Sequence, residues 1–330
     1  VVGHFESNGA GSEVSRAAVF AKGSVPIVGR LAIPGGNPAA SDGAAPIRSL
    51  ALRFLPEHGE EWRTGMNAMP VFVVKDAQSF YELQQASQPQ PGTGKPDPAK
   101  MGAFFKAHPE SAAFLSWVKT AVPSSSYANS AYYGLNAFLL VDAQGREHPV
   151  RWSVQPQTPY QPLAAEQRNE ANFLAADLQQ RLAQGPVRWH LQLTLGEPGD
   201  PTDDATRAWP QNRRSIDAGE VVIERAVAEQ GGACQDVNYD PLVLPDGITP
   251  EHVAFALRAL TDGAYSTTMG WVPARELGIP QPIEAVKSVS LVLCDGYGWR
   301  PLSTEWDYAA TRRRVWEEVF PGEVRKTATS

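Results

Sequence analysis

Apolar and polar positions alternate most cleanly over Val187–Leu195. There Val187, Trp189, Leu191, Leu193 and Leu195 share one side, as in a strand with one buried face. Val25–Ala32, Arg48–Phe54 and Pro70–Lys75 also read as strands, each rich in Val, Ile or Leu and bounded by Gly, Pro or Asn. Val1–Phe5 is a short apolar start that reads as the inside of a strand, and Glu13–Phe20 is helix-like. Leu135–Val141 and His148–Val154 flank an Asp142-to-Gly145 turn and predict a hairpin. Apolar residues fall at helical spacing over Pro98–Val118 (Met101, Phe104, Phe105, Phe114, Leu115) and over Glu166–Ala183 (Phe173, Leu174, Leu178, Leu182). Ser87–Pro98 is a Pro/Gln/Gly connector, too polar for a core. Strands first, then a helical block, then a strand: this order favours an α+β fold with an antiparallel barrel over a doubly wound sheet.

Composition narrows the function. A chain of 330 residues, 42% hydrophobic and 20% charged, belongs to a globular protein. No apolar run approaches the length of a membrane span. A net charge of −7 argues against a nucleic-acid surface, and the one basic cluster, Arg312–Arg314, is followed by Glu317 and Glu318 at helical spacing. Cys234 and Cys294 lie far apart, outside any zinc spacing, which leaves free thiols and a disulfide both open. GxGxxG, GxxxxGK[ST], GxSxG and HExxH are all absent. The start at Val1, inside an expected strand, reads as a truncation, so compartment is not legible from a leader.

Six stretches then occur in a telling order: Gly3-His-Phe-Glu6, Val25-Pro-Ile-Val-Gly-Arg30, Met66-Asn-Ala-Met-Pro-Val-Phe72, Phe104-Phe-Lys-Ala-His-Pro-Glu-Ser111, Tyr133-Gly-Leu-Asn-Ala-Phe through Gly145, and Asp200-Pro-Thr-Asp-Asp-Ala-Thr-Arg-Ala-Trp-Pro210. With Pro245-Asp-Gly-Ile248 they resemble the haem catalases, most closely the small catalase-related peroxidases. The resemblance covers residues 1–248, and 249–330 match nothing in that family. It implies an eight-stranded antiparallel β-barrel with surrounding helices, truncated at its N-terminus, with a C-terminal segment of another type, either a fusion or an assembly artefact. It also implies haem b and a peroxide substrate, an electron donor it does not identify, an oligomeric state left open, and, for many small relatives, a periplasmic location.

On this resemblance Asn67 falls on the distal Asn, whose uncharged amide can donate to a peroxide oxygen. A turn residue before a strand is the plainer reading. Arg30 falls on a propionate-binding Arg, with a buried ion pair as its alternative. Phe72 and Phe80 match haem-facing aromatics and equally suit a core. The family's distal His is expected upstream of Gly3 and is not in the chain. Its proximal Tyr should stand four residues after an Arg on a helix. Here Arg258 and Tyr265 stand seven apart with Gly263 between, so Tyr265 is the candidate iron ligand that the resemblance offers, and the spacing predicts that it does not take up the proximal position against Arg258. Two readings follow, a peroxide-decomposing haem enzyme and an impaired barrel that holds haem or another ligand without turnover. A third makes the Trp-bearing 266–330 segment a partner-binding module, with a strand at Val286–Cys294 and a helix at Thr304–Phe320.

Overall fold

The computed structural model describes residues 1–33, 41–44, 47–57, 60–228 and 231–250, and beyond these only the backbone of four short strands. The chain divides into two compact units. The first holds Val1–Val73, Glu110–Glu251 and Cys294–Gly296, and the second holds Val74–Pro109, His252–Leu293 and Tyr297–Ser330.

The first unit is a closed antiparallel barrel. Its eight long strands are β1 (Val2–Ser7), β2 (Gly23–Ala32), β3 (Ser49–Phe54), β4 (Trp62–Asn67), β5 (Tyr132–Val141), β6 (Glu147–Pro156), β7 (Val187–Leu195) and β8 (Ser215–Arg225). They pair in the order β4-β3-β2-β1-β8-β7-β6-β5, and a β4–β5 bridge between Asn67 and Tyr133 closes the ring. A short β9 (Ile248–Pro250) adds to β5. This is the barrel expected from sequence.

Period-two alternation sets its two faces. Inward residues of β2–β4 (Ile27, Leu50, Leu52, Phe54, Trp62, Met66) join one buried cluster with Trp152, Trp189 and Val221. Aromatic rings fill the barrel: Phe54 stacks on Trp62 at 4.6 Å, and Trp62 meets Trp152 edge-on at 5.0 Å. Trp152 Nε1 donates to Thr64 Oγ1 at 2.9 Å, so the one inward hydroxyl on β4 is satisfied. Trp152 also requires glycine opposite it, because a Cβ at Gly134 would come within 2.5 Å of its Nε1.

Local chemistry revises several expected elements. Pro98–Val118 is two helices, α2 (Pro98–Ala107) and α3 (Ala112–Thr120), because His108 precedes Pro109 and leaves helical geometry. The clearest expected helix, Glu166–Ala183, is a 3-10 turn at Glu166–Asn169 and then α4 (Phe173–Leu182), separated by left-handed Asn172. Asp42 caps α4 from far along the chain, its Oδ2 accepting from Leu174 N at 2.9 Å. Glu13–Phe20 is not a continuous helix: Glu13 ends a 3-10 turn (Ala10–Glu13), and a second 3-10 turn spans Ala18–Phe20. Pro70–Lys75 is not a strand: Pro70 cannot donate to a ladder, and the segment bends, held at Phe72 N by Ala205 O. Strand β4 lies just before it and β8 completes the barrel; neither was among the expected strands.

In the second unit, α1 (Ala77–Ala86) starts at Asp76, whose side chain accepts from Ser79 N, and α2 starts at an Asp97–Pro98 cap. Four short strands, β10 (Tyr265–Thr267), β11 (Gly270–Val272), β12 (Val289–Ser290) and β13 (Arg300–Pro301), form their own sheet. The expected helix at Thr304–Phe320 lies outside the described residues.

Candidate functional site

Arg30, Ser49, Arg53, Arg63 and Asn67 share the outward face of β2–β4. The register sets Arg30 opposite Ala51, Ala51 opposite Gly65, and Ser49 opposite Asn67. Arg30 and Asn67 are therefore two strands apart and offset by two residues, about 12 Å between Cα atoms from standard strand spacing and rise. Sequence reasoning named both, and the barrel wall puts them on one surface.

Asn67 is half-buried at the end of β4. Ser49 Oγ donates to its Oδ1 at 2.6 Å, so the amide carbonyl is occupied and Nδ2 is the end turned toward other partners. Asn67 Nδ2 makes no hydrogen bond among the described residues. Ser49 was not expected at the site. Only the β3–β4 register brings it across from Asn67, eighteen residues away in sequence.

Arg30 sits under a loop. Its Nη2 approaches the carbonyls of Val237 and Cys234 at 3.3 and 3.5 Å, and its guanidinium lies over the Tyr239 ring at 5.2 Å. Cys234 is buried and not in a disulfide; with Ala51 and Tyr239 it forms a small apolar cluster on this face. A carboxylate binding at Arg30 would take the place of these carbonyl acceptors.

Arg53 and Arg63 stand directly opposite each other on β3 and β4, a like-charge pair. Glu61 separates them: Arg63 Nε and Nη2 donate to Glu61 Oε2 at 2.8 and 2.6 Å, and Arg53 Nη2 bonds Glu61 Oε1. Burial alone would push the Glu61 carboxyl up, but the hydrogen bonds and charges of the two arginines outweigh it and hold it below the usual carboxylate range.

Of the aromatics expected at the site, Phe72 is buried in the first unit and Phe80 lies on α1 of the second. Tyr265 opens strand β10, paired with Val272, where the resemblance implied a helix; its side chain and Arg258 lie outside the described residues. Among the described residues no group of three or more His, Cys, Asp or Glu is placed to hold a metal ion, and no helix is long and apolar enough to cross a membrane.

A family profile described as Catalase matches residues 1–255. The chain is 39% identical over 251 residues to a protein named catalase-related peroxidase from Synechococcus elongatus, covering 76% of this chain and 74% of that one. A protein of the same name from Mycolicibacterium paratuberculosis is 29% identical, over 69% of this chain and 72% of its own. A solved bacterial catalase superposes with a TM-score of 0.68 at 18% identity, over 76% of this chain and 51% of that one, a likeness of fold. The chain thus spans about half the length of the solved catalases it matches.

Proposed function

The chain belongs to the catalase family, and from that membership we propose that it decomposes hydrogen peroxide or small organic peroxides with a haem b cofactor. The carrying observation is Asn67: its carbonyl is held by Ser49, and its amide nitrogen is left to donate on the outward face of the barrel.

The residues on that face suit two polar demands of a haem. Arg30 would offer a guanidinium fork to a propionate, and Asn67, about 12 Å away on the same face, would offer a neutral donor. Bound haem would supply the redox chemistry of O–O cleavage. Asn67 would donate to the distal peroxide oxygen and orient it without titrating, because an amide has no charge to lose in this range. Ser49 would keep that amide from flipping. Phe72, buried in the same unit as Asn67, would supply apolar contact beside the haem. For the iron ligand, sequence reasoning offers Tyr265.

Titration of the full chain with ferric haem, followed by a peroxide-consumption assay, tests the proposal. We expect a Soret band and peroxide loss, with Asn67→Ala slowing turnover about tenfold to a thousandfold at unchanged haem content. Equal turnover in Asn67→Ala would reduce Asn67 to a turn residue. A Soret band without peroxide loss would leave the second reading, a barrel that holds haem without turnover.

A further inference from the structure

The stretch that follows Asn67 leaves the barrel ladder, and partners far along the chain set its path. Pro70 has no N–H to give a ladder, so the segment is held from outside. Ala68 N donates to Arg48 O at 2.8 Å, Phe72 N to Ala205 O at 2.8 Å, and Ser111 Oγ to Val73 O at 2.7 Å. The Ala205 carbonyl belongs to the 200–210 stretch, one of the six ordered motifs and the source of no candidate site residue.

That stretch is a loop without helix or strand, and two arginines hold it. Arg151 stands on the outward face of β6, next to inward Trp152. Its Nη1 donates to Arg207 O at 2.7 Å, and its Nη2 to Pro201 O and Asp204 O at 2.9 and 3.0 Å. The guanidinium lies 4.8 Å from the centre of the Trp209 ring, and Trp209 Nε1 donates to Pro201 O at 2.8 Å. Between the Arg151 acceptors the chain turns tightly: Asp204 Oδ1 accepts from Thr206 N at 2.9 Å and from Thr206 Oγ1 at 2.6 Å. Ala205 lies inside that turn, flanked by two carbonyls that Arg151 holds. Arg213 acts instead on the start of the loop, forking onto Asp200 at 2.7 and 2.8 Å.

We propose that Arg151 is a positioning residue for the Asn67 face. By gathering the carbonyls of Pro201, Asp204 and Arg207 it fixes Ala205 O, which holds Phe72 N and so the segment leaving Asn67. A planar guanidinium with donors on separate nitrogens suits three divergent carbonyls, which the single nitrogen of a lysine reaches less well. The catalytic consequence rests on the peroxide reading of that face; the mechanical link from Arg151 to Phe72 does not.

Amide hydrogen exchange on the full chain, without haem, reads the link directly. Arg151→Gln should speed exchange at Phe72 about tenfold or more relative to the slowest barrel amides. Arg213→Gln, which releases Asp200 and leaves the Arg151 acceptors in place, should change Phe72 by less than about threefold. With haem bound, Arg151→Gln should lower kcat for peroxide about tenfold, as a small misplacement does, with KM within about threefold and haem content unchanged. Should Arg151→Gln fail to fold, Arg151→Lys keeps the charge, loses the fork and should show the same selective rise at Phe72, about threefold or more. Phe72 exchange that rises only in step with the slowest amides, or no more than in Arg213→Gln, would overturn the proposal. So would an unchanged kcat at full haem content. A wild type with no Soret band would instead defeat the peroxide reading, and the exchange comparison would still decide the link.

Discussion

The two faces of β2–β4 are made by the same strands and do opposite work. Inward, Leu50, Leu52, Phe54, Trp62 and Met66 are almost fully buried in one apolar cluster, with Phe54 stacked on Trp62. Outward, one residue along in each strand, stand Arg30, Ser49, Arg53, Arg63 and Asn67, each held by its own polar contacts. The inward face is held by apolar area, which is indifferent to exact partners within volume limits. The outward face is held by directional polar contacts in which each group has a particular neighbour, so it orients donors and contributes little to net stability. Chemistry belongs on the second kind of face.

Three substitutions would break or sharpen this contrast. Trp62→Ala removes a ring that touches Phe20, Phe54 and Trp152, and should lower unfolding free energy by about 3–5 kcal/mol, read as a denaturant midpoint shift at constant slope. A loss under 1 kcal/mol would mean the barrel interior is not close-packed there.

Glu61→Gln leaves Arg53 and Arg63 facing each other, and should cost about 1–2 kcal/mol after allowance for solvent screening, less at high salt. Because the folded Glu61 pKa is depressed, its stabilisation is present above the ordinary carboxylate range and is lost as pH falls through the folded value. The wild type should therefore lose its advantage over Glu61→Gln on acidification. A difference between them that stays constant from neutral pH to below the carboxylate range would refute the ion-pair account.

The smallest effect on stability is expected from Ser49→Ala, at about 0.5–1.5 kcal/mol for one hydrogen bond. Its effect on peroxide turnover should exceed that share, because the Asn67 amide would then be free to turn. Ser49→Thr, which keeps the hydroxyl, should restore turnover; failure to do so would remove Ser49 from the positioning role.

The barrel was legible where one apolar face alternates with polar residues. Val187–Leu195 and the hairpin at Asp142 repeat the strand period or the turn chemistry plainly, and Asp142 accepts the Gln144 and Arg146 N–H groups as a turn aspartate does. Trp62–Asn67 was not seen as a strand because Arg63, Thr64, Gly65 and Asn67 have weak apolar character. Yet Trp62, Thr64 and Met66 do repeat at period two, a signal that was present. Pro70–Lys75 misled for the opposite reason: its Val and Phe residues suit a strand, but Pro70 and the bend after β4 spend them as buried loop contacts. The helical blocks were placed correctly and run too long, since Pro109 and left-handed Asn172 interrupt them.

The order of motifs along the chain determined the family and pointed to Asn67 and Arg30 as candidates, because motif order survives in sequence without any knowledge of contacts. Hydrophobic alternation determined which strand faces turn inward. Only the tertiary structure decided that Ser49 fixes the Asn67 amide, that Glu61 separates Arg53 from Arg63, and that the 234–239 loop lies over Arg30. Each of these is a meeting of side chains far apart in sequence, set by strand register and loop closure, and a single chain read along its length carries no record of which distant residues will be opposed.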